Sequence, residues 1–278
     1  MRRGRPLHQS TRSSERWAPR RRSSPRFHAV LVLPFVAGCT ELPLHAKQEV
    51  SQAQEDYLDR KLPAARARLD NVLNTFGDYT GAAEAYYLRA KINAETSNKS
   101  AALRDAQRCI ELSQDRELTS KAHAMAGTLQ FETGATAAAI PHLEAALTRM
   151  PERPPADLIR YRYGVCLQHE GRWSEARREF STLVQQYPAG DLAERARRML
   201  EWPGDHFAIQ CGAFHDRSSA ESQISALRHS GLSPRIEPRS RSGKTLQTVL
   251  VGQFRTYSAA RSALPSVKKV VSGAVIAP

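Results

Sequence analysis

The last seventy or so residues alternate between two kinds of hydrophobic pattern. Segments with apolar residues at every second position are typical of strands, and the segments between them have the three-to-four-residue spacing of helices. One strand-like segment, Phe207-Ala208-Ile209-Gln210-Cys211-Gly212-Ala213-Phe214, runs into a glycine and an aromatic residue, and Val249-Leu250-Val251-Gly252-Gln253-Phe254 is a weaker copy. The predicted strands are 206–212, 233–239, 246–252 and 271–276, and the predicted helices are 217–230 and 256–268. This order predicts an α+β fold of the ferredoxin-like βαββαβ type, with both helices on one face of an antiparallel sheet.

Period-two alternation divides the first strand between the two faces of this sheet. Phe207, Ile209 and Cys211 are predicted to face the helices, while His206, Ala208 and Gln210 face the opposite, open side. A polar amide in the middle of an apolar strand is costly to bury unless it has a hydrogen-bond partner. Gln210 is therefore either a solvated residue on a half-exposed sheet or a contact for a ligand on the open face.

The middle of the chain is predicted to be an α solenoid, because a helix–turn–helix pattern recurs four times. The repeats begin at residues 46, 83, 120 and 157, at intervals of 37. In the fourth repeat Gly164 lies where two helices touch, Gly171 closes the first helix and Pro188 ends the second. The pattern resembles the tetratricopeptide repeat. A final amphipathic segment, 192–200, is predicted to cap the stack, which extends over 46–201.

The resemblance to tetratricopeptide repeats implies a concave groove that binds a partner protein. In the fourth repeat the groove residues would be Tyr161, Val165 and Gln168, together with Leu158 and His169. The sequence does not identify the partner. The array can equally be a spacer that carries the C-terminal domain away from a membrane.

The N-terminus has the pattern of an export signal. Residues 1–26 hold nine arginines and one acidic residue, and a short apolar run follows at 28–38. The run is far shorter than the ~20 residues of a membrane-spanning helix, and a basic, then apolar, then small-residue order is typical of secretion.

This apolar run ends in Val36-Ala37-Gly38-Cys39, which resembles a bacterial lipobox. The resemblance implies that residues 1–38 are a lipoprotein signal peptide and that Cys39 is lipidated and anchors the chain to a membrane. Residues 39–45 would then be a linker. Thr40 follows the cysteine, and in that family this favours the periplasmic face of the outer membrane, with the inner membrane as the alternative.

Charge and cysteine usage narrow the class of partner. Of the formal net charge of +13, residues 205–278 contribute +6, from ten Lys or Arg and four Asp or Glu, and residues 39–204 contribute −1. A cationic domain favours an anionic partner such as a nucleic acid, acidic lipid or acidic polysaccharide. The other cysteines, Cys109, Cys166 and Cys211, have no zinc-site spacing and fall on apolar positions, so they are predicted to be small buried hydrophobic residues.

The C-terminal domain, 205–278, follows a linker at 202–204 and resembles the SPOR domain, a bacterial peptidoglycan-binding module. The motif aromatic-x-(V/I)-Q-(V/C)-G-(S/A)-F is matched from Phe207 to Phe214, and V-x-V-G-x-F from Val249 to Phe254. The resemblance implies binding of denuded, septal glycan strands through the open sheet face. The family often has serine at 213, an aromatic residue at 246 and a basic residue at 248, and this chain departs from it there. The implied glycan-binding residues are Gln210, Ala208, Ala213, Leu246, Thr248, Leu250 and Arg235.

Two other classes of function fit the sequence poorly. An RNA-binding domain of this topology needs aromatic residues on the open face of its central strands, where this chain has His206, Ala208, Gln210, Thr248 and Leu250. The sequence has no HExxH, GxSxG, phosphate-binding loop or zinc spacing, so no enzyme, metal or cofactor is expected. The main alternative is an outer-membrane assembly scaffold that acts mainly through its helical repeats.

Overall fold

The computed structural model describes residues 41–241 and 244–278. The predicted signal peptide and Cys39 lie outside these residues. The structure confirms the predicted fold class, since a series of paired helices is followed by an antiparallel sheet with two further helices. In the part of the chain that is described, no helix has the length and apolar character needed to cross a membrane. The helices of the repeat region are α1 (Leu44–Leu58), α2 (Leu62–Phe76), a 3-10 turn (Thr80–Ala82), α3 (Ala83–Glu95), α4 (Lys99–Leu112), α5 (Arg116–Glu132), α6 (Thr136–Leu147), α7 (Ala156–His169), α8 (Trp173–Gln186) and α9 (Asp191–Leu200).

The predicted period of 37 residues is visible in the turns between paired helices. The second helices begin at residues 62, 99, 136 and 173. Each is preceded by one residue in the left-handed region, with φ of 64° at Arg60, 63° at Ser97, 78° at Gly134 and 76° at Gly171. The N–H of the next residue donates to the carbonyl five residues earlier, at 2.8 Å in all four turns, which closes the first helix of each pair. The four repeats therefore share one turn geometry.

The first two turns place a side chain where the last two have glycine. We expect Ser97→Gly to raise the free energy of unfolding by about 0.5–1 kcal/mol, because only glycine adopts the left-handed region without steric cost. Urea unfolding measures the change. Gly134→Ala is the matched reverse substitution, since no atom lies within 4 Å of an added Cβ there, and it should lower the stability by a similar amount. Equal stability of Ser97→Gly and the natural protein would contradict the shared turn geometry.

Close contact between paired helices explains the glycines in the third and fourth repeats. A Cβ at Gly127 would lie 2.7 Å from the side chain of Leu143, and a Cβ at Gly164 would lie 2.7 Å from the ring of Phe180. Leu143 and Phe180 are almost completely buried. The prediction that Gly164 lies at the helix–helix contact is confirmed.

The C-terminal domain is an antiparallel sheet of β1 (Phe207–Phe214), β2 (Pro234–Arg241), β3 (Lys244–Phe254) and β4 (Val275–Ala277), which lie in the predicted ferredoxin-like arrangement with the order β2-β3-β1-β4. One face packs on both helices through a core that contains Ile209, Cys211, Val249, Ile224 and Val267. These helices are α10 (Arg217–His229) and α11 (Tyr257–Lys268).

The last strand is shorter and later than the predicted 271–276. The N–H groups of Val270 and Val271 both donate to the carbonyl of Val267, so the chain continues to turn after α11. Ala274 donates to Val271 and closes a further turn. The apolar residues of this segment thus pack against the core from turns rather than from an extended strand.

The three described cysteines are buried and free, which confirms the prediction made for them. Burial raises the pKa of Cys109 and Cys166 to about 12 and that of Cys211 to about 11. A thiol becomes nucleophilic as the thiolate, so these side chains serve as small hydrophobic core residues.

Candidate functional site

The face of the sheet opposite the helices is the predicted glycan-binding face, and we call it the outer face. Strand register aligns Gln210 with Leu250 on one side and Val275 on the other, and it aligns Ala213 with Thr248. The neighbouring edge strand adds Arg235 opposite Leu250. The structure therefore brings the predicted residues onto one surface. The outer face includes Ala208, Gln210, Ala213, Arg235, Glu237, Arg239, Lys244, Leu246, Thr248, Leu250, Val275 and Ala277.

Part of the outer face is covered. Ala208 and Leu250 are 0% exposed and Thr248 is 3% exposed. The expectation that this face is open is therefore wrong at these three positions. Ala208 and Leu250 belong to a cluster of buried side chains that also contains Trp202 and Trp173, which come from outside the sheet.

Trp202 is the residue that connects the repeat region to this face. Its indole Nε1–H donates to the carbonyl of His206 at 2.7 Å. The guanidinium carbon of Arg239 lies 3.7 Å from the centre of its ring, within the range of a cation–π contact. Only 4% of the surface of Trp202 is exposed, and it belongs to the same buried cluster as Ala208 and Leu250. Trp202 therefore covers the central strands on the outer face.

The other part of the outer face is accessible. Gln210 and Leu246 are half-buried, whereas Ala213, Val275 and Lys244 are exposed. Within the described residues, the Gln210 amide makes no side-chain hydrogen bond. An unpaired amide beside exposed apolar residues is free to hydrogen-bond to a ligand laid across this end of the sheet.

The arginines of the outer face are engaged within the protein. Arg235 pairs with Glu237 at 2.7 Å and donates to the carbonyl of Gly252 at 2.6 Å, while Arg239 pairs with the same carboxylate at 2.8 Å. Burial alone would raise the pKa of Glu237, but hydrogen bonds from Arg239 and Arg235 outweigh it and hold the pKa below its usual value. Arg235 is thus a partner of Glu237 rather than a free cation.

Much of the domain's positive charge lies on or beside its helices. Arg228 and Arg261 are exposed on α10 and α11, and Lys268 and Lys269 are exposed at the end of α11. None of the four makes an ion pair with another described residue. The charge of +6 therefore favours approach to an anionic polymer more than contact at the outer face.

The predicted groove residues of the fourth repeat line a cavity of about 410 Å³. Tyr161, Val165 and Gln168 are all at its wall, as are Leu158 and His169. Arg162 and Arg195 lie at the same wall, and no Asp or Glu does. The SPOR-like domain also contributes Phe207, Tyr257, Ile276 and Pro278 to the wall.

Three side chains of the last repeat hold the two domains together. Trp173 donates from its indole N–H to the carbonyl of Arg255 at 3.0 Å, and its ring centre lies 4.8 Å from that of Phe207. The His169 ring stacks on Tyr257 with centres 4.1 Å apart. Arg177 donates to the carbonyl of Gly204 at 3.0 Å and pairs with Asp205 at 2.8 Å.

Acid should weaken this junction through His169. Burial lowers the pKa of His169 from its usual 6.5 to about 4, so the folded protein keeps the ring neutral while the unfolded chain takes up a proton below pH 6.5. The stabilisation is complete above pH 6.5 and is lost as the pH falls towards 4, by up to about 1.4 kcal/mol per unit. We expect unfolding in urea to show a smaller stability difference between pH 7.5 and 5.0 in His169→Gln than in the natural protein. His229→Gln, on the exposed surface of α10, is the control, and an unchanged difference in His169→Gln would contradict the assignment.

The residues that the sequence analysis missed are those of the junction, namely Trp173, Trp202, Arg177 and Tyr257. The sequence assigns Trp202 only to the linker at 202–204, because Pro203 and Gly204 follow it. The available signal was the position of the tryptophans, since Trp173 lies in the last repeat and Trp202 begins the linker before the C-terminal domain.

Comparison with known proteins matches the repeat region and the C-terminal domain to two different families. Residues 203–277 match the family model of the SPOR domain, and residues 130–200 match that of the tetratricopeptide repeat. No curated protein matches the chain.

Several solved structures are similar to the repeat region. The crystal structure of YrrB, a TPR protein with an unusual peptide-binding site, is 21% identical over 56% of this chain and 74% of its own, with a TM-score of 0.49. A structure of MamA from AMB-1 is 15% identical over 57% of this chain and 80% of its own, with a TM-score of 0.47. A tetratricopeptide repeat protein from Parabacteroides merdae is 13% identical over 56% and 59%, with a TM-score of 0.47.

Both matched families are binding domains. A SPOR domain implies peptidoglycan binding, and tetratricopeptide repeats imply interaction with proteins. The chain therefore carries tetratricopeptide repeats at 130–200, followed by a SPOR domain at 203–277.

Proposed function

We propose that this protein is a non-enzymatic, peptidoglycan-binding lipoprotein that binds denuded septal glycan strands through the outer face of its SPOR domain. Cys39 carries the lipid, which holds the protein at the periplasmic face of the outer membrane. The repeats act as a scaffold for a protein partner in cell division or envelope maintenance. The observation that carries the proposal is a SPOR fold whose outer face presents the unpaired amide of Gln210.

The physical chemistry of the ligand supports this proposal. Removal of stem peptides by an amidase leaves a free lactyl carboxylate on each muramic acid, so a denuded strand is a repeating anionic polymer. A domain of charge +6 attracts it. An extended sugar chain can lie along the accessible part of the outer face, where Gln210 can hydrogen-bond to N-acetyl groups and hydroxyls.

Co-sedimentation with sacculi tests the ligand. The full-length protein carrying Cys39→Ser is mixed with amidase-treated and with untreated sacculi, and the pelleted fraction is measured. We expect more protein in the pellet with treated sacculi. Equal pelleting with both would overturn selectivity for denuded strands, and no pelleting with either would overturn the proposed function.

Gln210 should contribute directly to this binding. Loss of one hydrogen bond, about 0.5–1.5 kcal/mol, predicts roughly twofold to tenfold weaker pelleting of Gln210→Ala. Gln223→Ala removes the same amide from α10 on the helix side of the domain and should bind like the natural protein. If Gln210→Ala pellets as well as that control, the ligand does not use this part of the outer face.

The lipid anchor has a separate test. Cys39→Ser in cells should move the protein from the membrane fraction to the soluble periplasmic fraction, because the thioether can no longer form. Retention in the membrane fraction would contradict attachment through Cys39.

A second candidate function is an assembly scaffold acting mainly through the repeats. The cavity lined by Tyr161, Val165 and Gln168 favours it, since it offers an apolar surface with two arginines and no acidic wall residue. Tyr161→Ala should then abolish the scaffold function of the repeats in cells while leaving the pelleting with sacculi unchanged. The peptidoglycan-binding function predicts the opposite dependence, with Gln210→Ala the more damaging change.

A further inference from the structure

The outer face of the SPOR domain is covered by the same chain that carries it. Its central positions, Ala208 and Leu250, are fully buried, although they point away from the helices of their own domain. They share a buried cluster with Trp202 and Trp173. Trp202, from the segment that follows the repeat region, is the member of this cluster that also contacts Arg239 of the outer face, so it forms the cover.

The covering segment is held down by α8. The Arg177 guanidinium donates to the carbonyls of Trp202 and Gly204 at 3.4 and 3.0 Å and pairs with Asp205 at 2.8 Å. One side chain thus makes three contacts to the segment that presents the Trp202 ring. Without Arg177, the backbone of 202–205 loses these contacts to the repeat array.

The contacts between the repeat array and the SPOR domain are weak enough to break and re-form. The Arg177 side chain is 37% exposed and that of Asp205 is 63% exposed, so this pair is weak and sensitive to salt. Contacts between domains of one chain are by default mobile unless the interface is large and hydrophobic. Here the apolar part consists of a few aromatic side chains, chiefly Trp173, Trp202 and Phe207.

We propose that the repeat array holds the SPOR domain in a closed, autoinhibited state, in which Trp202 occupies the centre of the glycan-binding face and must leave before a glycan strand can bind along its whole length. This inference rests on the proposed function of that face. Gln210 and Ala213 lie outside the cover, so the closed state leaves a weaker, partial site at one end.

Opening the junction should therefore strengthen glycan binding. If the open state is about 10% populated in the natural protein, releasing it fully raises the apparent affinity about tenfold. Arg177→Ala is the variant of choice, because Arg177 is on the repeat array and is not part of the outer face. Arg178→Ala is the matched control, since Arg178 is the next residue on α8, is exposed, and makes no hydrogen bond or ion pair with another described residue.

The test uses the full-length protein carrying Cys39→Ser, alone and with each second substitution. Acrylamide quenching of tryptophan fluorescence reports the exposure of the tryptophans together, including Trp173 and Trp202 of the junction, and titration with amidase-treated sacculi gives the concentration for half-maximal pelleting. For Arg177→Ala we expect stronger quenching and about tenfold tighter pelleting, with no change for Arg178→Ala. Circular dichroism and urea unfolding confirm that both variants are folded.

A second variant keeps the proposal testable if Arg177→Ala leaves the junction closed. Trp202→Ala removes the cover itself and should also pellet more tightly than the natural protein. If the natural protein pellets and both Arg177→Ala and Trp202→Ala pellet no more tightly, autoinhibition is overturned while the proposed function stands. If no form pellets, the proposed function and the inference fail together.

Discussion

Replacing Arg89 by alanine is expected to lower the free energy of unfolding by about 3–5 kcal/mol, one of the two largest effects of a single substitution that we predict for this protein. The Arg89 guanidinium holds the Asp105 carboxylate with two hydrogen bonds, of 2.9 and 2.7 Å, and pairs with Asp70 at 2.8 Å. It thereby ties α3 to both α4 and α2. The cost is large because the Asp105 side chain is only 8% exposed, so its charge stays buried when its main partner is removed.

After the substitution, Asp105 would keep only the hydrogen bond from the Asn93 side chain, at 2.8 Å. One neutral donor does not replace a bidentate arginine for a buried carboxylate. Urea unfolding followed by circular dichroism measures the loss.

Arg108 on α4 provides the matched control for Arg89. It also joins two acidic partners, Asp78 and Glu111, but their side chains are 95% and 61% exposed. Arg108→Ala should therefore cost less than about 1 kcal/mol, as is usual for surface ion pairs. Similar losses for the two variants would mean that burial of Asp105 does not govern the energetics of this network.

The sequence predicted the repeat array well because its determinants are local and periodic. Small and large apolar residues meet between the paired helices of the third and fourth repeats, at Gly127 and Leu143 and at Gly164 and Phe180, and this pattern is readable without any tertiary information. The turns of the first two repeats were harder to recognise. Arg60 and Ser97 adopt the left-handed conformation there, although neither residue type signals it.

The outer face of the SPOR domain was predicted only in part, and for a physical reason. Alternation assigns Ala208 and Leu250 to the face opposite the helices, and the strand register agrees. The burial of that face depends on the segment before the domain, because Trp202 reaches it from outside the sheet. Periodicity within one strand carries no information about what lies against its outward side chains.

Phe207 shows how closely the two domains depend on each other. The sequence assigns it to the core of the SPOR domain, yet its ring also lies 4.8 Å from that of Trp173, 5.7 Å from that of Tyr257 and 5.9 Å from that of His169. Only 1% of the residue is exposed. Phe207 therefore packs in its own domain and against the repeat array at the same time.

We accordingly expect Phe207→Ala to lower the free energy of unfolding by about 3–5 kcal/mol and to separate the unfolding of the repeats from that of the SPOR domain. The comparison is with Leu227→Ala, which removes a fully buried side chain from the helix side of the sheet and should cost about 2–5 kcal/mol. Both variants weaken the SPOR domain, but only Phe207→Ala removes packing from Trp173, so only it should increase acrylamide quenching of tryptophan fluorescence under native conditions. If Leu227→Ala increases quenching as much as Phe207→Ala does, loss of SPOR stability alone opens the junction. Stronger quenching in Phe207→Ala than in Leu227→Ala instead shows that the Phe207 side chain itself holds the SPOR domain against the repeat array.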